Sequence, residues 1–294
     1  MKAMPMVGRA IAHGAVTVIN AISCGFGAAL GVDLWTEAEV RLTDEPGRIV
    51  GRILSDPDES PILMEKVVNR VLRYFNLEGE YGAYVETRSN IPIARGLKSS
   101  SVASNAIALA TISALGKTGE VDDLTIVNLG VDGSIDAGVT ITGAFDDASA
   151  SYFGGLVITD NMKRRILRRL EVEEHAVLIY VPGEKAYTAK SDVESMRLIA
   201  REAKAVHELA LRGEYWSAMT LNGILYSSVL GYDPTIAIDA LRAGAVAAGL
   251  SGKGPAVASV VPTDRVEEVL NAWEGYGGEI IKARVNHEKA RIVS

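Results

Sequence analysis

A single cysteine, Cys24, stands in the 294 residues, so an internal disulfide and a cysteine-based zinc cluster are both excluded, and the chain suits a reducing compartment. Histidine is scarce as well. The four, at positions 13, 175, 207 and 287, show no close spacing of the kind a metal pair needs, which argues against a zinc enzyme. A Gly-x4-Gly-Lys-Ser/Thr phosphate loop is missing. Charge is missing locally: no Asp, Glu, Lys or Arg occurs between Arg9 and Asp33, and Ala21-Ile22-Ser23-Cys24 within that stretch faintly resembles a lipoprotein cleavage box. His13, Asn20 and glycines at 14, 25, 27 and 31 interrupt the run, making it a poor leader core or membrane span, and a cytoplasmic protein is expected. An excess of positive charge is absent too. The formal charge of −7 and pI near 5.3 leave no broad nucleic-acid footprint, although a local basic pocket for a small anion is compatible with them.

What remains is an ordinary globular balance, 48% apolar and 23% charged, in a chain long enough for one large or two intimate domains. Glycine concentrates where tight turns can serve a ligand. The stretch Ile91 to Ser101 has Gly96 for a sharp turn and three consecutive serines as hydroxyls and helix caps, and it precedes a small-residue helix predicted over Val102 to Leu115. A loop closed by a helix N-terminus favours an anion, though a purely structural cap explains the same local features.

Alternation predicts extended chain over 1–12 and 28–42, with a flexible turn at Gly25 to Gly31, and further strands over 49–54 and 81–87. Helical spacing predicts helices over 61–75 and 122–129. Short apolar runs predict buried strands over 156–159 and 176–181, with the basic cluster Lys163 to Arg169 a solvated strand or turn between them. From Ser191, a capping residue three before Glu194, the pattern is helical: one stripe from Val193 to Ala210, then helices over 215–229 and 234–248. A second glycine-rich loop, Gly249 to Pro255, leads into a strand over 256–261, a helix over 264–273 and a closing strand over 279–285.

Three separated segments share a resemblance. Pro92-Ile93-Ala94-Arg95-Gly96-Leu97-Lys98-Ser99-Ser100-Ser101 resembles the Pro-x3-Gly-Leu-x-Ser-Ser-Ala phosphate-binding motif of the GHMP small-molecule kinases, with Ser101 where alanine is usual. Gly8-Arg9-Ala10-Ile11-Ala12-His13-Gly14 resembles the opening strand and turn of the mevalonate kinase branch, and Gly252-Lys253-Gly254-Pro255-Ala256 the C-terminal glycine-rich motif. Six residues intervene between Asp147 and Gly154-Gly155, as they do after the proposed base of mevalonate-kinase-like members. The resemblance therefore implies an α/β protein, an α+β two-layer sandwich of the GHMP kinase fold. Its N-terminal ribosomal-protein-S5-like domain would span residues 1–160 and its C-terminal ferredoxin-like domain residues 161–294, with ATP between them.

It also implies site roles. Asp147 is the expected base, with Asp146 the alternative, and Arg9 stands where relatives have a lysine near the transferring phosphate. Pro92, Arg95, Gly96, Leu97, Lys98, Ser99, Ser100 and Ser101, together with Gly252, Lys253 and Gly254, form the nucleotide cradle. Magnesium falls to Ser100 and to Asp136, eleven residues before Asp147 where relatives have a glutamate, with Asp132 an alternative ligand. His13 is undecided between substrate contact and structure. Residues 91–101 and 136–148 together resemble the archaeal-type shikimate kinases, which implies transfer from ATP to the 3-hydroxyl of shikimate, a small-molecule partner with no nucleic acid and no membrane. Arg9, Lys98, Lys253 and the Thr140 to Thr142 region are candidates to hold the acceptor. Other GHMP acceptors (homoserine, mevalonate, pantoate) and a non-catalytic nucleotide sensor are the alternatives. Oligomeric state is not legible.

Overall fold

The uncharged stretch near the N-terminus becomes the centre of the molecule. In the computed structural model, which describes residues 6–92, 97–140, 142–183 and 193–293, it forms the closed end of a long hairpin between β1 (Val7–Ile19) and β2 (Phe26–Thr43). Toward the open end the strands alternate buried and exposed residues. Toward the turn nearly every residue is buried, because helices cover both faces there, and a charge on either face would lack water. The flexible turn expected at Gly25 to Gly31 is corrected: the reversal occupies residues 20–25, and Gly27 and Gly31 lie within β2.

β2 is long enough to pair twice. Its outer half meets β4 (Gly82–Ser89), which carries β3 (Ile49–Ile53) in parallel at the edge, and its inner half meets β5 (Leu156–Asp160). β6 (Arg165–Leu170), part of the basic cluster, pairs with β5, so the first sheet runs past residue 160. Four helices cover this sheet: α1 (Ile62–Tyr74), α2 (Ser99–Ala114), α3 (Asp123–Asp136) and α4 (Phe145–Phe153). α3 runs on to Asp136, well past the end at residue 129 that its apolar signal suggested; the Asp122 carboxylate caps it by accepting from Thr125 N at 2.9 Å.

The second sheet holds β7 (Ala176–Val181), β8 (Ala247–Leu250), β9 (Val257–Val261) and β10 (Glu279–Arg284), all antiparallel, in the order β10-β7-β9-β8. This fourth-first-third-second order is that of a ferredoxin-like sheet. Its helices are α5 (Val193–Leu198), α6 (Ala200–Leu211), α7 (Tyr215–Leu230), α8 (Thr235–Arg242) and α9 (Val266–Trp273). The single stripe expected from Val193 to Ala210 is broken at Ile199, and its Ser191 cap lies outside the described residues. The helix expected to reach Ala248 stops at Arg242, where Gly244 turns to a φ of +105°; the small apolar residues that follow form buried β8. Short apolar runs fit either state, and here sheet pairing decides. The chain finally returns to the first sheet as β11 (Arg291–Ile292) beside β1.

One continuous core runs through both halves, from Ala10, Leu30 and Ile107 to Val177, Met219 and Val260. Among the described residues no helix is long and apolar enough to cross a membrane.

Candidate active site

None of the sixteen residues of α2 is charged, and twelve are buried, so the helix belongs in the interior and meets a polar surface at its N-terminus. The expectation that a serine caps it is corrected. Lys98 occupies the position before the first turn in a left-handed conformation (φ 64°), no side chain caps the helix, and Ser99, Ser100 and Ser101 are its first three residues. A first turn leaves its N–H groups without intrahelical partners, so this end offers N–H donors, hydroxyls and the positive pole of the dipole together.

α4 starts in the same manner. Ala144 is left-handed (φ 47°), and Asp146 and Asp147 fall in the first turn, where the dipole favours carboxylates. Left-handed residues other than glycine are strained, and such strain concentrates at functional sites. Asn105 of α2 ties the two helices together, donating from Nδ2 to Ala148 O at 2.8 Å and to Ser151 Oγ at 3.3 Å.

A cavity lies between these helix ends. Its walls are Leu97 to Ser101, the hairpin residues Asn20 to Ile22, Val139, Thr140, Thr142 and Ala144 ahead of α4, Asp146 and Asp147, and Gly252 to Gly254 from the loop after β8. Lys98 Nζ lies 3.1 Å from Asp147 Oδ2, with both side chains only 10% exposed. The other oxygen, Asp147 Oδ1, is buried with no hydrogen-bond partner. Asp146 points to the protein side: its Oδ1 accepts from Asn161 Nδ2 at 2.8 Å, and Asn161 Oδ1 accepts from Thr159 Oγ1 at 2.6 Å. Burial, and then the charge of Asp147, push the Asp146 carboxyl up to about 7. Lys253, across the cavity, has no ion-pair partner among the described residues, and burial followed by the charge of Lys98 pushes it down to about 8.

Nine residues expected in the site thus line one cavity: Leu97, Lys98, Ser99, Ser100, Ser101, Asp147, Gly252, Lys253 and Gly254. Three others lie elsewhere. Arg9, on the exposed open end of β1, pairs with Glu39 at 2.7 Å, because the alternation there turns its side chain to solvent. Asp136, in the last turn of α3, is held by both oxygens to Arg70 of α1, away from the cavity, and its alternative Asp132 pairs with Arg164 at 2.7 Å. Pro92 lines a separate cleft with Asn90, Val181 and Pro182. Arg95 and Gly96 lie outside the described residues. His13 is buried away from the cavity, its Nδ1 unpartnered and its pKa lowered by burial. Sequence reasoning missed Asn20 to Ile22, Ala144 and Asn161. The signal for the first was the uncharged stretch itself, in which Asn20 is a polar residue at a position buried on every side.

Two lysines and a helix N-terminus supply more positive charge than Asp147 neutralises, so the cavity favours a dense anion, and beside it sits a carboxylate with one oxygen unpartnered. Anion-binding donors and a carboxylate gathered in one cavity are parts that phosphoryl transfer to a small molecule uses, which points to the class of small-molecule kinases. The family described as GHMP kinases N terminal domain matches residues 63–155, and GHMP kinases C terminal matches residues 204–278. A shikimate kinase of Methanothrix thermoacetophila is 47% identical over 288 residues, covering 98% of this chain and 96% of its own length. Another, from Pyrococcus furiosus, is 43% identical, covering 91% and 95%. Among solved structures, homoserine kinase from Cytophaga hutchinsonii superposes with a TM-score of 0.76 at 19% identity, covering 100% of this chain and 99% of its own. L. major mevalonate kinase in complex with R-mevalonate does so at 0.70 and 16%, covering 96% and 97%. These last two share the fold. The chain belongs to the GHMP kinase superfamily and, within it, to the archaeal-type shikimate kinase family.

Proposed function

We propose that this kinase transfers the terminal phosphoryl group of ATP to the 3-hydroxyl of shikimate, with Asp147 as the base. The observation that carries the reading is the buried Lys98–Asp147 pair with Asp147 Oδ1 left without a hydrogen-bond partner: a carboxylate beside a cation, with one oxygen unpartnered, is suited to accept a hydroxyl proton. Leaving such an oxygen unpaired in the interior costs free energy, which a reacting hydroxyl would recover.

Ser99 to Ser101 and the N–H groups of the first turn of α2 receive the phosphates. An apolar recess lined by Ile53, Pro61, Leu63, Met64 and Ile107 shares Ser99 and Ser100 with the central cavity, and it suits the adenine base. Lys98 stabilises negative charge on the phosphoryl group as it leaves the donor. Arg9 lies elsewhere and Lys98 is paired, so Lys253 is, of those three candidates, the buried cation left for the acceptor carboxylate. Thr140 and Thr142 offer hydroxyls to the ring. Magnesium fits Ser100 Oγ together with phosphate oxygens and water, since this ion usually retains several waters and needs few protein ligands; it would neutralise phosphate charge. Among the described residues no carboxylate cluster offers it a closed cage.

A coupled ADP-release assay across shikimate, homoserine, mevalonate and pantoate, with the product's phosphate located by NMR, tests the reading. Shikimate is expected to turn over well above the others. Equal or faster turnover of homoserine would reassign the acceptor.

A further inference from the structure

The walls of the cavity come from both domains, and one buried residue joins them. Asn20, at the tip of the β1–β2 hairpin, uses every polar group it has. Its N–H donates to Asn222 Oδ1 at 3.0 Å, its carbonyl accepts from Tyr226 OH at 2.9 Å, its Nδ2 donates to Gly252 O at 2.7 Å, and its Oδ1 accepts from Ile22 N at 3.0 Å. Asn222 and Tyr226 are four apart on α7 and so share one face of it. Because the Tyr226 proton goes to Asn20, its oxygen accepts from Ser23 N at 3.3 Å, and Ser23 Oγ donates to it at 2.5 Å. Thr17 adds a strut, its Oγ1 accepting from Gly252 N at 2.8 Å.

All of these residues but the half-buried Ile22 are buried, and the surrounding core is apolar. Apolar side chains would close such a junction without the desolvation that amides and hydroxyls incur. A fully satisfied polar network instead fixes one relative placement, because any slip leaves buried donors unpaired. What it fixes here is Gly252, the residue before Lys253, against a hairpin whose next residues form the facing wall.

We infer that Asn20, clamped by Asn222 and Tyr226, is a positioning residue of phosphoryl transfer: it holds the Gly252–Gly254 loop so that Lys253 grips the acceptor at a fixed offset from Asp147. The inference rests on the acceptor role of Lys253 proposed above. A displacement of about 1 Å in such a site can cost on the order of a hundredfold in rate.

The test is the effect of Tyr226→Phe and Asn20→Ala on the KM for the acceptor and for ATP, measured on folded enzyme and repeated in a Lys253→Met background. The wild-type assay against the acceptor panel comes first, and whichever acceptor it turns over is used throughout, so a wrong acceptor is distinguished from a wrong clamp. Tyr226→Phe keeps the ring and its packing, which keeps the inference testable where Asn20→Ala fails to fold. Expected is a rise of about tenfold in the acceptor KM with the ATP KM within about twofold, and no further rise when Lys253→Met is already present. Unchanged constants, parallel shifts in both KM values, or effects that add to those of Lys253→Met would overturn the inference, because a merely structural clamp has no reason to act through Lys253.

Discussion

The base role proposed for Asp147 rests on one contact made and one withheld. Replacing it with asparagine keeps the volume and removes the proposed base, so Asp147→Asn is expected to lower kcat by about 10²–10⁴-fold while nucleotide affinity, read by equilibrium titration, stays near wild type. Arg9→Ala is the contrast: its partner Glu39 is on an exposed surface, pairs of that kind contribute at most about 1 kcal/mol, and activity within about twofold of wild type is expected in the same assay. Lys253 adds a pH signature. Burial lowers its pKa to about 8, so above that pH the free enzyme carries a neutral amine where the acceptor's carboxylate should bind. Consequently kcat/KM for the acceptor is expected to fall as pH rises through 8, and Lys253→Met should lack that limb in a pH–rate profile.

The elements deliver these side chains through close helix approach. α7 reaches the hairpin only because it lies against β8: a Cβ at Gly223 would stand 2.3 Å from Gly249 Cα. Two backbones cannot part without moving Asn222, the neighbour of Gly223. Gly223→Ala is therefore expected to destabilise the fold by about 1–3 kcal/mol, the usual range for overpacking, as read from urea denaturation midpoints. At the other wall, α2 and α4 each start from a left-handed residue and meet through Asn105, which sets the Lys98–Asp147 contact by the placement of two helices.

For the whole molecule, a core shared by both domains argues for unfolding as one unit, and its buried titratable groups set the pH range of stability. His13 and His207 are held below their ordinary pKa by burial, so the unfolded chain binds protons that the folded one refuses. Their contribution is present above about pH 6.5 and is lost as the pH falls. Asp146 has the opposite sign. Its carboxyl is raised to about 7, so the stability it contributes is full below its ordinary value of 3.8 and is lost as pH rises through 7. Compared with Asp146→Asn, the wild type is expected to lose stability between pH 5 and pH 7 by up to about 1.4 kcal/mol per pH unit, one proton's worth, in denaturant titrations at each pH. A flat difference would show that Asp146 is already ionised at pH 5.

Features that depend on neighbours along the chain are readable from residue order alone. The Leu97 to Ser101 segment at the start of α2, the Gly252 to Gly254 loop, most strands and helices and the candidacy of Asp147 were legible, because turn chemistry, apolar periodicity and motif spacing are local or nearly so. Tertiary structure decided what depends on how elements meet. It turned Arg9 to solvent, tied Asp136 to Arg70, set Asp147 against Lys98 with one oxygen unpartnered and put Asp146 against Asn161. It also turned an uncharged stretch resembling a leader into a hairpin end buried on both faces, with Asn20 bonded to residues more than two hundred positions away. No spacing along the chain encodes such a bond, since its partners come together only when two sheets close on one core.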